Sequence, residues 1–174
     1  MGFSVGISSF IVLIGFVAVF SAVCTAFFTN MEELTFAAND YVNNQKDKID
    51  TQMQLTIDSV SATTCSITIK NVGSKTIFMQ NTNGYNWNTI ILSYGDNDQW
   101  NAFTIETYTI SEVKVTATNA TLNPTTHKYM SPGEQVVITL NIPGGAPSIE
   151  SQDIVSIVFA SHYGVTASGE VTME

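Results

Sequence analysis

A run of 26 residues without a single charged side chain, from Phe3 to Phe28, constrains this chain more than any other feature. As an α-helix the run would measure about 39 Å, because each residue adds about 1.5 Å, whereas the hydrocarbon core of a bilayer is about 30 Å thick. It is longer than the apolar part of a cleaved secretory signal, and no basic residue precedes it. We therefore predict a transmembrane helix over residues 1–29.

The next segment, residues 30–51, is predicted to continue as a helical stalk. It contains neither Gly nor Pro, and side chains at intervals of three and four form a narrow mixed stripe: Leu34, Ala38, Tyr41, Gln45 and Ile49. The stripe is too polar for a strong coiled coil. A solvated spacer and a self-associating stalk both remain open.

The composition favours a β-rich domain outside the cytoplasm that does not bind nucleic acid. Charged residues make up 12% of the chain, against about 25% in ordinary soluble proteins. All six cationic residues are lysines, and the formal net charge of -9 leaves no cationic cluster for phosphate. The triplet beginning at Asn119 predicts N-glycosylation and fits an outside location, with the N-terminus in the cytoplasm.

Residues 52–174 are predicted to form one antiparallel β-sandwich of immunoglobulin type. Apolar and polar side chains alternate, as in Cys65, Ile67 and Ile69, and no helical pattern separates the segments. The predicted strands are residues 54–59, 65–70, 76–80, 88–94, 99–105, 108–118, 134–142, 154–161 and 164–173. Gly73 is expected to supply a tight or left-handed turn, and Pro132-Gly133 a second turn. The Cys-Trp-Cys signature of antibody domains is absent.

The two cysteines are not expected to form a disulfide. Cys24 lies in the apolar run and Cys65 in a predicted strand, so the two thiols would sit in different solvents. We interpret Cys65 as a small buried apolar residue.

No motif of an enzyme, a nucleotide site or a transition-metal site is present in the sequence. The two histidines, His127 and His162, are far apart, and the sequence contains no HExxH, CxxC, GxSxG or P-loop pattern. We therefore predict that the chain is not an enzyme and has no cofactor.

Asp96, Asn97 and Asp98 form the one weak metal candidate. Closely spaced carboxylates and an amide oxygen are ligands that Ca²⁺ prefers, but the glycine and the distal Glu of an EF-hand are missing. A hairpin turn in which these side chains bond the local backbone is the favoured interpretation.

Four aromatic residues, Tyr85, Trp87, Tyr94 and Trp100, fall around the two predicted loops near residues 83 and 96. If exposed, they would form a contact surface for a protein or a glycan. The favoured alternative is that the two Trp side chains fill the core. An edge strand offers a further way to bind a partner.

The order of motifs resembles the FlaF (ArlF) family of archaellum accessory proteins. The resemblance covers essentially the whole chain: MGFSV with an apolar helix after it, a helical connector through Tyr41-Val42, IKNVGSKTI at 69–77, MSPGEQVVITL at 130–140, and a last strand pair entered through Tyr163-Gly164-Val165.

This resemblance implies a stator role in the archaeal swimming motor. A single membrane helix would hold the sandwich outside the cytoplasmic membrane, where it binds the surface-layer protein. Contacts with the sister accessory protein FlaG and self-association are also implied, without residues that carry them.

Two other functions remain open. An archaellin or type IV pilin-like filament subunit also joins an apolar helix to a β domain, although no Lys or Arg precedes Gly2 and the helix lacks the Glu found near the start of many pilins. A membrane-tethered sandwich that binds a ligand or glycan would need exposed aromatic residues or a formed calcium loop.

Overall fold

The computed structural model describes residues 2–80, 83–95 and 99–174, with side chains from residue 6 onward. The chain divides into two compact units, Met1–Gln45 and Lys46–Glu174. The first unit is helical, and the second contains the last helical residues and the whole β domain.

One helix, α1, extends from Gly2 to Asp50 and includes both the predicted span and the predicted stalk. The chain has no proline before residue 124, so every N–H after the first turn can donate along the helix. The hydroxyls of Thr25 and Thr29 donate to the carbonyls of Ser21 and Thr25, which satisfies them in apolar surroundings. Within the described residues, α1 is the one helix long and apolar enough to cross a membrane.

Eleven strands follow in the described residues, in two main sheets and one short pair. The first sheet has the order β1-β2-β9-β6-β7, the second β11-β10-β4-β5, and β3 pairs with β8. Their bounds are β1 Met53–Val60, β2 Thr64–Asn71, β3 Ile77–Phe78, β4 Thr89–Gly95, β5 Trp100–Ile105, β6 Thr109–Val115, β7 Thr121–Leu122, β8 Tyr129–Met130, β9 Glu134–Asn141, β10 Ile154–Ala160 and β11 Thr166–Thr172.

The eight long strands have the Greek-key order of an immunoglobulin-type sandwich, which confirms the predicted fold class. Strands one, two, five and six of the eight form one sheet, and strands three, four, seven and eight form the other. Alternating side chains from both sheets fill the core, among them Ile67, Ile138, Leu92 and Phe159. Cys65 is buried in this core, as predicted.

Three short strands depart from the predicted pattern. The segment predicted as a strand over 76–80 is reduced to the two residues of β3, and neither β7 nor β8 was predicted. Beside β3, Asn71 Nδ2 donates to the carbonyls of Lys75 and Met130, 2.8 and 3.0 Å away.

The last turn of α1 is joined to the β2–β3 turn by backbone hydrogen bonds. The Gln52 carbonyl accepts from the N–H groups of Val72 and Gly73, and the Asp50 carbonyl accepts from those of Ser74 and Lys75, at 2.8 to 3.2 Å. We call this junction the helix clasp.

Gly73 lies in the turn between β2 and β3, as expected, but the left-handed alternative is wrong. Positive φ angles occur at Gly84 and Gly133 but not at Gly73. A Cβ atom on Gly73 would instead lie 2.4 Å from the Asp50 oxygen, so glycine is needed for close approach of two backbones. The predicted turn at Pro132-Gly133 is present, with φ +80° at Gly133.

Candidate functional site

The four aromatic residues singled out in the sequence do not form one surface. Tyr85 and Trp87 precede β4, whereas Tyr94 and Trp100 lie at its far end, about 20 Å away along the strand. Tyr94 is only 1% exposed, and its hydroxyl donates to the Pro147 carbonyl. It is a core residue and cannot contact a partner.

Both Trp side chains are exposed, so the interpretation that they fill the core is wrong. Trp87 is 55% exposed, Trp100 50% and Tyr85 72%. Smaller residues, mainly Ile, Val and Leu, fill the space between the sheets. Each end of the sandwich therefore presents one exposed Trp.

The end nearer the helix clasp carries a cluster of rings, which we call the clasp-end patch: Phe78, Tyr85, Trp87, His162 and Tyr163. The His162 ring lies between three others, with centroids 5.7 Å from Phe78, 6.0 Å from Trp87 and 4.0 Å from Tyr163. Burial lowers the pKa of His162, and its Nδ1 atom is buried without a hydrogen-bond partner. The patch is therefore built around a neutral imidazole.

Asparagine side chains hold the patch in place. Asn88 Nδ2 donates to the Phe78 carbonyl at 2.9 Å, and Asn88 Oδ1 accepts from the backbone N–H of His162 at 3.0 Å. Asn86 accepts from Gln80 Nε2 at 3.0 Å and donates to the Glu106 carbonyl at 2.9 Å. Because these even-numbered residues face inward, the rings of their odd-numbered neighbours face solvent.

The opposite end, which we call the distal end, combines Trp100 with an open strand edge. Strand β5 is the last strand of its sheet, and its six residues WNAFTI include no charge, Gly or Pro. On the other side of the sandwich, edge strands β1 and β11 lie together, with Leu55 packed against Gly169. An uncharged open edge can pair with a strand of another chain.

No metal site is apparent in the described residues. A shallow cavity of about 160 Å³ at the distal end is lined by Gln99, Asn101, Glu150 and Asp153, among others. No group of three His, Cys, Asp or Glu side chains that could hold an ion occurs in the described part of the chain. The candidate Asp96, Asn97 and Asp98 lies outside the described residues.

The two histidines lie in separate places. His127 Nε2 lies 2.9 Å from Glu134 Oε2, which also accepts the Ser131 N–H at 2.7 Å. This pair fixes the turn before β9. Burial raises the pKa of Cys65 to about 11 and that of Tyr108 to about 12, so neither is activated.

Asn119, the predicted glycosylation site, lies in the exposed turn between β6 and β7. Its φ is +53°, and its N–H donates to the Val115 carbonyl at 2.8 Å. An exposed Asn side chain is accessible to a glycosyltransferase, so the position is compatible with glycosylation, which stays a prediction.

Sequence reasoning missed Phe78, His162 and Tyr163 as members of the clasp-end patch. Phe78 lies in the segment predicted as a strand over 76–80, and the β10–β11 turn comes from a distant part of the sequence. The one available signal is the lack of charge from Thr76 to Gly95.

Comparison with known proteins relates the whole chain to one family. The model of the family described as archaeal-type flagellin matches residues 2–171. No match was found among curated proteins. The match is broader than the FlaF family that the sequence motifs predict.

Among solved structures, the archaeal flagellum of Methanospirillum hungatei strain JF1 is similar over 97% of this chain and 93% of that chain, with 15% identity and a TM-score of 0.61. The archaellum periplasmic stator protein FlaG from Sulfolobus acidocaldarius is 20% identical, covering 70% of this chain and 99% of that chain, with a TM-score of 0.45. The FlaF and FlaG stator complex of the same organism is 20% identical over 68% and 88%, with a TM-score of 0.42.

Proposed function

Since the chain belongs to the archaeal-type flagellin family, it is a component of the archaellum, and we propose that it acts there as a membrane-anchored stator subunit without enzymatic activity. A stator must hold the motor to the cell envelope while the filament turns. It therefore needs one anchor in the membrane and another outside it, and it needs no catalytic centre.

The observation that carries this proposal is the charge boundary within α1. From Phe3 to Phe28 the helix has no charged residue. Seven of the 21 residues from Asn30 to Asp50 are charged: Glu32, Glu33, Asp40, Lys46, Asp47, Lys48 and Asp50. The uncharged part matches a bilayer in length, and the charged part suits water.

In the core of a filament, copies of the helix would enclose one another along their whole length. Such a helix would not need a boundary between an uncharged and a charged part. Burial of charged side chains among packed helices costs several kcal/mol for each ion that lacks a partner. The charged half of α1 therefore favours a solvated stalk over a segment of a dense filament core.

The second anchor, in this proposal, is the distal end of the sandwich. Trp100 and the uncharged edge of β5 supply the exposed ring and the free backbone groups with which a protein partner can be bound. The partner is the surface-layer protein, and FlaG is a second partner within the motor. The N-terminus lies in the cytoplasm and the sandwich lies outside.

A filament subunit is the second candidate. The family description itself and the shared fold over nearly the whole length of the Methanospirillum hungatei protein support it. Such a subunit would be processed before assembly, and its helix would pack against other copies.

Two measurements separate the candidates. We expect the native N-terminus, determined by mass spectrometry, to retain Gly2, and the full chain in nanodiscs to capture isolated surface-layer protein. Trp100→Ala should weaken this capture about tenfold or more, whereas Trp87→Ala, which removes an equally exposed ring at the other end, should not. Cleavage after Gly2 together with polymerisation into filaments would establish the subunit and exclude the stator.

A further inference from the structure

The clasp-end patch has a surface chemistry that differs from the rest of this acidic chain. No charged residue occurs from Thr76 to Gly95, although the chain has a formal net charge of -9. In the ion pair beside the patch, Lys75 Nζ lies 2.7 Å from Asp47 Oδ1, so the two charges compensate each other. The rings of the patch therefore carry no charge themselves, and the charged residues beside it, Lys48, Glu106 and Lys128, come from other segments of the chain.

The exposed groups of the patch are rings and amides, without aliphatic side chains. Ile77, Met79 and Ile90 are completely buried, whereas Val72 and Ile91, outside the patch as defined, are partly exposed. Hot spots for proteins usually combine Trp and Tyr with Arg or with Met and aliphatic side chains, and this chain contains no Arg. Among the described residues of segment 80–89, carboxamides are carried by Gln80, Asn83, Asn86 and the buried Asn88, and aromatic rings by Tyr85 and Trp87.

Hydrogen bonds fix the backbone that carries the rings before any ligand arrives. Asn86 and Asn88 use their amides to bind backbone carbonyls, and the backbone N–H of Trp87 donates to the Met79 carbonyl at 3.0 Å. The Tyr163 hydroxyl donates to the Thr76 carbonyl at 3.4 Å. A preordered aromatic surface loses little side-chain entropy on binding, which matters for ligands that form few strong contacts.

From these observations we propose that the clasp-end patch binds a neutral glycan chain carried by a molecule of the cell envelope other than the surface-layer protein. The C–H faces of the sugar rings stack on Trp87 and Phe78, and the sugar hydroxyls bond to amide and hydroxyl groups at the rim. An amide can form up to four hydrogen bonds and a tyrosine hydroxyl up to three, so Asn83 and Tyr85 can contribute beyond their internal bonds. This site is separate from the distal end and goes beyond the stator proposal.

The test uses the full chain in phosphatidylcholine nanodiscs, prepared without sugar-based detergents, which would occupy the site. The probe is a panel of neutral oligosaccharides of glucose, galactose, mannose and N-acetylglucosamine. Binding is followed by tryptophan fluorescence in Trp100→Phe, so that Trp87 is the only emitter, and by calorimetry in the unmodified chain. We expect a saturable change with at least one member of the panel.

Three variants decide the result. Trp87→Ala should weaken binding about tenfold, Trp87→Phe should retain most of it because a ring remains, and Trp100→Ala should leave it unchanged. Since Trp87 is half exposed, its variants should have melting temperatures close to that of the unmodified chain. Thermal unfolding measures this.

The proposal is overturned if no oligosaccharide of the panel binds, if Trp87→Ala and Trp100→Ala behave alike, or if only glycolipid vesicles bind while free oligosaccharides do not. Binding of an apolar peptide that competes through Trp87, without any sugar binding, would assign the surface to a protein instead. Capture of surface-layer protein through Trp100 is measured separately, so failure here does not touch the stator proposal.

Discussion

Asn71, at the clasp end, has a structural role that its residue type alone does not indicate. Asn71 is fully buried, and its side chain bonds the carbonyls of Lys75 and Met130 and the N–H of Gly73. It thereby ties the β2–β3 turn to β8. Removal of this side chain would take away the donor to the two carbonyls, at about 1–3 kcal/mol for each one left unpaired, whereas the Gly73 N–H would keep its bond to the Gln52 carbonyl.

Gly73→Ala should destabilise the β domain by about 2 kcal/mol or more, because the added methyl would lie 2.4 Å from the Asp50 oxygen and 2.5 Å from the Gln52 nitrogen. Urea unfolding measures this loss. Gly144→Ala is the matched control, since no atom lies within 4 Å of its Cβ position and its φ is not in the left-handed range. Equal stability of the two variants would show that the helix clasp does not require Gly73.

His162 should make the protein less stable in mild acid. Its pKa is lowered in the folded state by burial, from an ordinary value of 6.5. As the pH falls below about 6.5, the unfolded chain therefore takes up a proton that the folded chain resists, and the free energy of unfolding decreases until the folded pKa is reached.

Replacement of the imidazole tests this contribution. In His162→Gln the decrease in the free energy of unfolding between pH 7.5 and pH 5 should be smaller than in the unmodified chain. Denaturant unfolding at both pH values provides the comparison. An identical decrease in both chains would assign the acid sensitivity to other groups.

At the scale of elements, α1 shows how one continuous helix can consist of parts with different environments. Its hydrogen bonds are regular from Gly2 to Asp50, so the backbone does not mark the boundary near Asn30. The side chains mark it, through the absence and then the presence of charge. A regular helical backbone therefore does not indicate which environment surrounds each part of α1.

Val17→Lys should impair membrane insertion, because a lysine near the centre of a spanning helix costs about 2.5–3.5 kcal/mol. Val42→Lys lies on the charged part of the same helix and should have no effect. The two positions are similarly exposed in the chain, so membrane fractionation of the two variants is a matched comparison. Equal fractionation would argue against a span that includes residue 17.

At the scale of the whole molecule, the β domain should fold without the apolar helix, provided that the helix clasp is intact. A fragment of residues 46–174 keeps the Asp50 carbonyl and the Asp47–Lys75 ion pair. A fragment of residues 51–174 loses both.

We expect the shorter fragment to be less stable by about 1–3 kcal/mol, mainly because the N–H groups of Ser74 and Lys75 lose their acceptor; the exposed ion pair adds little. Thermal unfolding of both fragments tests this, with residues 40–174 as a control that should match 46–174. If all three fragments melt together, the Asp50 half of the clasp contributes nothing to stability; the Gln52 half is present in every fragment.

The helix could be predicted from the length of the apolar run, and the sandwich from the alternation of apolar and polar residues. Alternation in segments such as Cys65 to Ile69 reports which face is buried, and the apolar run reports the helix. The sequence did not predict the exposure of Trp87 and Trp100, because burial of a large ring depends on how much space smaller residues leave between the sheets. Nor did it predict the clasp-end patch, which joins the β3–β4 and β10–β11 connections through Asn88 and His162, 74 residues apart.

The helix clasp also sets the path of a mechanical load. A pull on the chain at Lys46 reaches the sandwich through the covalent chain into edge strand β1 and, beside it, through four backbone N–H groups bonded to two carbonyl oxygens. These bonds join the helix end to the turn that leaves β2, a strand paired on both sides. Part of the force therefore bypasses the edge strand and is shared between the two ladders of β2.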